Sequence, residues 1–259
     1  MNHRLQTLFQ QEEKDILSIF FTCGFPELND TRETLISLAN SGVDLVEIGM
    51  PFSDPIADGG TIQMSSQRAL DNGITLDLIF EQLEGIREEI DIPLILMGYL
   101  NPVMQYGMER FVKKAAELGI DGFILPDLPM YEYQTFYKEL FDEHGLANIF
   151  LITPQTSEER IREIDAISSG FIYMVSSDST TGAETNTDDV QRAYFERIQA
   201  MELISPRLIG FGIHDHATFS NACSYADGAI IGSAFIKAMD QEGPIPQKVE
   251  GFVRKVRMG

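Results

Sequence analysis

The sequence predicts an α/β protein built as a closed (β/α)8 barrel with one extra helix at its N-terminus. Short apolar runs rich in β-branched residues recur eight times along the 259 residues. Segments with helical periodicity, each polar on one face, lie between these runs. Alternating strands and helices imply a parallel sheet, and eight repeats in a chain of this length favour a closed barrel over an open doubly wound sheet.

Each element follows from a local pattern. The predicted strands are Ile16 to Thr22, Val43 to Ile48, Pro93 to Met97, Gly122 to Leu125, Asn148 to Ile152, Phe171 to Val175, Leu208 to Phe211 and Gly228 to Ile231. The helical segments include Thr31 to Asn40, Leu76 to Glu89, Met108 to Leu118, Tyr131 to His144, Glu158 to Ile167 and Val190 to Leu203. We also predict a helix over about Asn2 to Gln11, which would cap the barrel bottom, and a final amphipathic helix over Pro244 to Arg257. Since no linker or low-complexity stretch divides the chain, residues 1–259 are predicted to form one domain.

The charge of the chain argues against two classes of partner. Nineteen Lys and Arg stand against 40 Asp and Glu, so the formal net charge is −21. An acidic surface repels nucleic acid and anionic lipid, and neither partner is expected. The segment Met1 to Lys14 lacks an apolar core of signal-peptide length, so a cytoplasmic location is expected. Cys23 and Cys223 form no metal-binding pattern, and no metal site is predicted.

Two long strand-to-helix connections predict the end of the barrel at which the active site lies. Pro51 to Gln63 follows the second predicted strand, and Ser176 to Asp188 follows the sixth. Barrel enzymes build their active sites from the loops at the C-terminal ends of the strands. These two connections are therefore where chemistry is expected.

Two carboxylates are candidates for acid–base chemistry. Glu47 lies in the apolar run LVEI, two residues before Gly49. Burial there would raise its pKa towards neutrality and suit it to proton transfer, although a buried glutamate paired with a neighbour would fit equally well. Asp54 and Asp58 follow in the next loop, where an aspartate usually only shapes a turn. Together with Glu47, however, a second carboxylate over the barrel mouth could divide the acid and base roles.

Glycine turns after the last two predicted strands indicate a phosphate site. Gly212 follows the seventh strand, and Gly232 and Ser233 follow the eighth. Barrels bind phosphate with backbone N–H groups at these two positions. Thr181 and Gly182, in the connection after the sixth strand, could add donors, although glycine in a loop needs no ligand to explain it.

Several absences narrow the reaction further. No lysine lies at the end of a predicted strand, which disfavours a Schiff-base aldolase. His214 and His216 are interpreted as surface or capping residues. The sequence contains no GxSxG elbow and no dinucleotide-binding glycine pattern. The remaining interpretation is acid–base chemistry on a phosphorylated small molecule, without a cofactor.

Several segments of the chain match the pattern of one known family. The most specific is Leu45 to Gln63, LVEIGMPFSDPIADGGTIQ, and the others are Thr22 to Pro26, Met97 to Pro102, Pro126 to Pro129, Thr181 to Ala183, Gly210 to Ile213 and Gly232-Ser233. Through these segments the chain resembles the tryptophan synthase α subunit family of TIM barrels along its whole length. The resemblance implies cleavage of indole-3-glycerol phosphate to indole and glyceraldehyde 3-phosphate, a retro-aldol reaction.

The resemblance also assigns roles to individual residues. It implies that Glu47 transfers protons at indole C3 and at the glycerol hydroxyl, and that Asp58 binds the indole N–H. Phosphate would be bound by the backbone of Gly182, Gly212, Gly232 and Ser233. The remaining substrate contacts would come from Phe20, Leu96, Ile124, Ile152, Tyr173, Thr181 and Phe211. The chain itself would need no cofactor, whereas a partner β subunit carrying pyridoxal phosphate would complete an α2β2 assembly.

The sequence departs from the family pattern at several positions. The loop Ser177 to Gly182 lacks the family's arginine and first glycine, Gly60 replaces a proline, Cys23 an alanine and His214 a serine. None of these changes removes a catalytic carboxylate.

Two other functions compete with the lyase. The chain could act mainly as an activator of the β subunit with weak catalysis of its own, and the sequence does not separate this hypothesis from the lyase. A generic phosphate-binding isomerase fits less well, because isomerisation needs no apolar slot shaped for indole.

Overall fold

A nearly closed barrel of parallel strands forms the centre of the molecule. The computed structural model describes residues 3–11, 15–56, 58–176 and 187–259. In these ranges the strands are β1 (Ile16–Thr22), β2 (Leu45–Gly49), β3 (Leu94–Met97), β4 (Gly122–Ile124), β5 (Ala147–Asn148), β6 (Phe150–Ile152), β7 (Ile172–Val175), β8 (Arg207–Gly210) and β9 (Gly228–Ile231). They pair in the order β5-β4-β3-β2-β1-β9-β8-β7-β6. The predicted barrel is thereby confirmed.

The expectation of eight continuous strands needs one correction. The fifth predicted strand, Asn148 to Ile152, is divided at Ile149 into β5 and β6. β5 pairs with β4, whereas β6 pairs with β7. The N–H of Ile149 still bonds to the Phe123 carbonyl, at 2.9 Å, before the chain changes neighbour. β5 and β6 are therefore the two edges of the sheet, and the chain connects them covalently through Ile149. No hydrogen-bonded ladder joins β5 to β6.

Helices surround the barrel and close its lower end. They are α1 (His3–Gln10), α2 (Thr31–Asn40), α3 (Gly60–Asp71), α4 (Leu76–Leu83), α5 (Leu100–Tyr106), α6 (Met108–Glu117), α7 (Met130–Glu132), α8 (Lys138–Glu143), α9 (Glu158–Ile167), α10 (Thr187–Ala200), α11 (His216–Cys223), α12 (Ser233–Met239) and α13 (Ile245–Met258). A 3₁₀ turn (Ile86–Glu88) follows α4, and a π turn (Tyr133–Tyr137) joins α7 to α8. No helix of the described ranges is both long and apolar enough to cross a membrane.

One predicted helix and one predicted loop are shorter in the structure, for identifiable reasons. The predicted helix Leu76 to Glu89 ends at Leu83, because Gly85 has a φ of +70° and turns the chain. The predicted long loop Pro51 to Gln63 is shorter, because α3 begins at Gly60. Because the loop ends at the first residue of α3, the position of Asp58, two residues earlier, is restricted by the helix.

Strand alternation divides the apolar core into two layers. One layer packs the outer face of the strands against the helices, with Leu17, Leu35 and Phe111 among its members. The other fills the barrel and includes Leu45, Ile95, Ile124, Leu208 and Ile230. Leu5 of α1 belongs to this inner layer and seals the bottom. Each fully buried side chain of this size contributes about 1.5–3 kcal/mol to folding.

An ion-pair cluster attaches α1 to the barrel at the N-terminal ends of β3 and β4. The Asp121 carboxylate is fully buried, and it pairs with Arg4 at 3.2 Å and with Arg87 at 2.5 Å. It also accepts a hydrogen bond from the N–H of Leu94, at 2.8 Å. Asp91 pairs with Arg4 as well, at 2.8 Å, but its side chain is 93% exposed. One arginine thus bonds to two carboxylates of opposite burial.

Replacing Asp121 with asparagine is expected to lower the free energy of unfolding by about 3 kcal/mol, because Arg87 loses its buried counter-charge. Asp91→Asn is the matched control and should cost less than about 1 kcal/mol, since exposed pairs contribute little. Urea unfolding of both variants measures the difference. Equal losses would show that burial of Asp121 adds nothing to its ion pairs.

Candidate active site

A cavity of about 280 Å³ lies over the inner face of the strands. The residues that line it come from β1, β2, β3, β7 and β9, from the loops that follow the strands, and from the first turns of α3 and α12. They are Phe20, Glu47, Asp58, Gly59, Ile62, Met97, Tyr173, Phe211, Gly212, Ile213, Ile230, Gly232 and Ser233. Both predicted carboxylates, three of the predicted substrate contacts and three predicted phosphate contacts therefore share one cavity.

Glu47 is the only carboxylate on the wall of this cavity that is fully buried in the described structure. The Ser18 hydroxyl donates a hydrogen bond to Glu47 Oε1 at 3.1 Å. Oε2 has no hydrogen-bond partner among the described residues. Burial raises the pKa of Glu47 from 4.5 to about 8, and the bond from Ser18 opposes this rise. At neutral pH the side chain is therefore mostly protonated.

This raised pKa makes folding stability depend on pH. Below pH 4.5 Glu47 is protonated in both the folded and the unfolded chain. Between pH 4.5 and about 8 the unfolded chain releases this proton while the folded chain retains it, so stability falls as pH rises. Glu47→Gln cannot ionise and should avoid this loss. We expect the variant to gain a few kcal/mol relative to the parent chain between pH 5 and pH 8, measured by urea unfolding. A difference that does not change with pH would mean that Glu47 is ionised when folded.

Asp58 occupies the cavity in a more exposed position. Partial burial raises the pKa of its carboxyl group, and a hydrogen bond from the Tyr99 side chain opposes the rise. The Asp58 carbonyl accepts a hydrogen bond from the Gln63 side chain of α3, at 2.7 Å. Asp54 does not line the cavity: its exposed carboxylate accepts a bond from Ser53 at 2.5 Å. Of the two loop aspartates, only Asp58 therefore lines the cavity.

Two glycines make room for the aromatic side chains of the cavity. A Cβ atom on Gly210 would lie 2.2 Å from the Tyr173 hydroxyl, and one on Gly49 would lie 2.5 Å from the Phe20 ring. Burial and the nearby charges of Glu47 and Asp58 raise the pKa of Tyr173 well above 10. Tyr173 is consequently a neutral phenol at physiological pH.

Phe211 adopts a backbone conformation that is rare for its residue type. Its φ is +70°, and the following Gly212 has a φ of +78°. The Ser176 hydroxyl donates to the Phe211 carbonyl at 2.6 Å, which holds this turn in place. The Phe211 ring lies 6.2 Å from that of Tyr173, centroid to centroid. A left-handed phenylalanine is costly, and such strain is concentrated at functional sites.

The prediction that Leu96 and Ile152 line the apolar slot is wrong. Both side chains belong to the layer between the strands and the helices. Successive side chains of a strand point to opposite faces, so their neighbours Met97 and Leu151 lie on the inner face instead. Ile124 does lie in the barrel interior but is not among the residues that line the cavity. Ile62, Met97, Ile213 and Ile230 contribute apolar surface that the sequence reasoning did not assign.

The predicted phosphate end is partly described. Gly212, in the loop after β8, and Gly232 and Ser233, directly after β9, all line the cavity. Thr181 and Gly182 lie outside the described residues. In the ranges that the structure covers, no group of three His, Cys, Asp or Glu side chains could hold a metal ion.

Comparisons with known proteins give the family. A family model described as tryptophan synthase alpha chain matches residues 6–257. The tryptophan synthase alpha chain of Flavobacterium johnsoniae is 56% identical over 257 residues, which cover 99% of this chain and 100% of that one. The chain belongs to the tryptophan synthase alpha chain family. The resemblance predicted from the motifs is confirmed, and the chain is an enzyme of tryptophan biosynthesis whose reaction is cleavage of indole-3-glycerol phosphate.

Solved structures agree with this family assignment. The tryptophan synthase subunit alpha of Legionella pneumophila has a TM-score of 0.86 and 32% identity, covering 99% of this chain and 97% of that one. A chain of the tryptophan synthase complex from Pyrococcus furiosus has a TM-score of 0.82 and 30% identity, covering 94% and 98%. The barrel of this chain is thus the barrel of the tryptophan synthase alpha chain family.

The departures from the family pattern have different surroundings. Cys23 is fully buried, and burial raises the pKa of its thiol to about 12. Gly60 is the first residue of α3. His214 is exposed beside the cavity, with its Nδ1 2.9 Å from the Gly212 carbonyl. The altered segment Ser177 to Gly182 lies outside the described residues. Tyr99, which bonds to Asp58, was missed as a site residue although it lies in a matching motif, because the motif does not tell which of its side chains contacts Asp58.

Proposed function

We propose that Glu47 and Asp58 perform the acid–base chemistry by which this chain cleaves indole-3-glycerol phosphate. The observation that carries the proposal is the fully buried carboxyl group of Glu47, whose raised pKa of about 8 keeps a proton in an apolar cavity at neutral pH. A general acid works best when its pKa lies near the working pH. Glu47 meets this requirement.

Glu47 can serve both proton transfers in turn. Its proton passes to indole C3, which converts the ring to an indolenine whose electron-poor nitrogen withdraws electrons from the bond to be broken. The resulting carboxylate then accepts the proton of the glycerol hydroxyl. The carbon–carbon bond breaks, its electron pair returns to the ring, and glyceraldehyde 3-phosphate and indole are released. Glu47 ends protonated, so the cycle is balanced.

Asp58 supports the intermediate through charge. As the ring becomes an indolenine, positive charge develops at the indole nitrogen, and a carboxylate that accepts its N–H bond stabilises that charge. The bond from Tyr99 favours the ionised form of Asp58 and orients it. Tyr173, a buried neutral phenol, has a position from which it can contact the substrate next to Glu47.

The two ends of the cavity suit the two ends of the substrate. Phe20, Met97, Phe211 and Ile230 provide apolar surface for the indole ring. The backbone N–H groups of Gly212, Gly232 and Ser233, with Gly182, would bind the phosphate. Phosphate binding at a distance from the reacting bond orients the substrate for the chemical step.

We further propose that the chain works with a tryptophan synthase β subunit in an α2β2 assembly. The similarity to a chain of the Pyrococcus furiosus tryptophan synthase complex supports such a partner. Pyridoxal phosphate would belong to the β subunit, and the α chain would act without a cofactor. The cytoplasmic location and the single domain stay predictions.

Indole formation by the purified chain, alone and with its β subunit, tests the function. The lyase hypothesis expects indole from the chain alone and faster formation with the partner, since loop closure excludes water and completes the site. The activator hypothesis expects no measurable indole without the partner, but a faster β reaction when the chain is added. Absence of both effects would reject the proposed function.

A further inference from the structure

A basic groove adjoins the candidate active site on a chain that is strongly acidic elsewhere. The groove has a volume of about 770 Å³ and lies between the loop after β8, α12 and α13. Lys237, Lys248, Lys255 and His214 line it, and none of its described lining residues is Asp or Glu. The whole chain carries 40 acidic residues against 19 Lys and Arg. A wall that contains cations and no carboxylate is therefore unusual for this surface.

The pairing of the lysines separates this groove from the rest of the surface. Six lysines lie in the described ranges. Three of them form ion pairs with carboxylates: Lys113 with Glu109, Lys114 with Glu84 and Lys138 with Asp142. The other three line the groove, and none has an ion-pair partner among the described carboxylates. The groove lysines thus differ from the neutralised lysines on α6 and α8, although the Asp215 carboxylate, which does not line the groove, interacts electrostatically with Lys255.

The three groove lysines differ in their contacts, and Lys248 has a structural role. The Lys248 ammonium donates to the carbonyls of Met239 and Gln241, at 2.7 Å and 3.2 Å. It therefore holds the end of α12 against α13. The side chains of Lys237 and Lys255 make no such bond in the described structure, and both residues line the groove. These two lysines are the cations that a ligand could use.

The groove is continuous with the catalytic cavity at its phosphate end. Gly212, Ile213 and Ser233 line both. We propose that Lys237 and Lys255 form an anion-recognition surface that attracts the phosphate ester of the substrate and guides it to the glycine turns. The proposal rests on the proposed function, because that function supplies a dianionic substrate. A chain with a net charge of −21 would otherwise repel such a molecule.

The test compares two double variants that remove the same charge. Lys237→Gln/Lys255→Gln changes the groove, and Lys113→Gln/Lys138→Gln changes two lysines on the far helices. Glycerol 3-phosphate and uncharged indole are titrated into each variant at low salt and at high salt. For the groove variant we expect roughly fivefold weaker binding of glycerol 3-phosphate at about 20 mM salt, falling below about twofold at 0.5 M salt. Indole binding by the same variant, which should not change, verifies that the cavity remains intact.

Two outcomes would overturn the proposal. The first is unchanged affinity of the groove variant for glycerol 3-phosphate at low salt. The second is an equal loss in both double variants, which would assign the effect to net charge instead of the groove. Failure of the proposed function is distinguishable: if Glu47→Gln cleaves substrate normally while the groove variant loses salt-sensitive phosphate binding, the chemistry is wrongly assigned and the groove stands.

Discussion

Replacing Glu47 with glutamine is expected to lower indole formation by at least about two orders of magnitude, while substrate binding is retained. Glutamine has nearly the same volume and can still accept the bond from Ser18, so the cavity should keep its shape. It has no proton to give to indole C3, and it cannot accept the hydroxyl proton afterwards. Steady-state indole formation together with equilibrium binding of glycerol 3-phosphate separates the chemical step from binding.

The pH dependence of kcat/KM tests the role of Glu47 in a second way. If protonated Glu47 starts the reaction, kcat/KM of the parent enzyme should fall above about pH 8, where the carboxyl group ionises. Glu33→Gln, which removes an exposed carboxylate on α2, is the control and should behave like the parent chain. Near-normal turnover of Glu47→Gln would reject Glu47 as the proton donor, whatever the profile.

Replacing Asp58 with asparagine is the second large effect that we expect. An amide offers no negative charge to the developing indolenine, so turnover should drop by about tenfold to a thousandfold. Asparagine preserves the size of the side chain, and the loop remains attached to α3 because its anchor is the Asp58 carbonyl. The loss should therefore appear in kcat, with little change in the affinity for glycerol 3-phosphate.

Asp54→Asn is the matched control for this experiment, since Asp54 lies in the same loop but its exposed side chain does not line the cavity. It should retain nearly full activity. Tyr99→Phe is informative as well, because it removes only the hydrogen bond that favours ionised Asp58. If Asp58→Asn turned over at the parent rate, Asp58 would be a residue that shapes the loop and takes no part in catalysis.

Local patterns predicted most of the fold and part of the site. Strand positions such as Ile16–Thr22 and Gly228–Ile231 agree with the predicted runs, because buried parallel strands need continuous apolar segments. The pattern could not predict the division at Ile149, which depends on the change of neighbour from β4 to β7. It also assigned Leu96 and Ile152 to the wrong face. A continuous apolar run has no alternation from which the inner face could be identified.

The sequence by itself determined the barrel, the family and the two carboxylates of the LVEIGMPFSDPIADGG segment, because these depend on residue type and order along the chain. The tertiary structure alone decided the environment of each group. Burial of Glu47 beside Ser18 raises its pKa, and contact with Tyr99 orients Asp58. The same holds for the lysines: only the packing of α12 and α13 beside the loop after β8 gathers Lys237 and Lys255 on a wall that no described Asp or Glu lines. Desolvation and charge pairing depend on which groups meet in space, and residues far apart in the chain supply those groups.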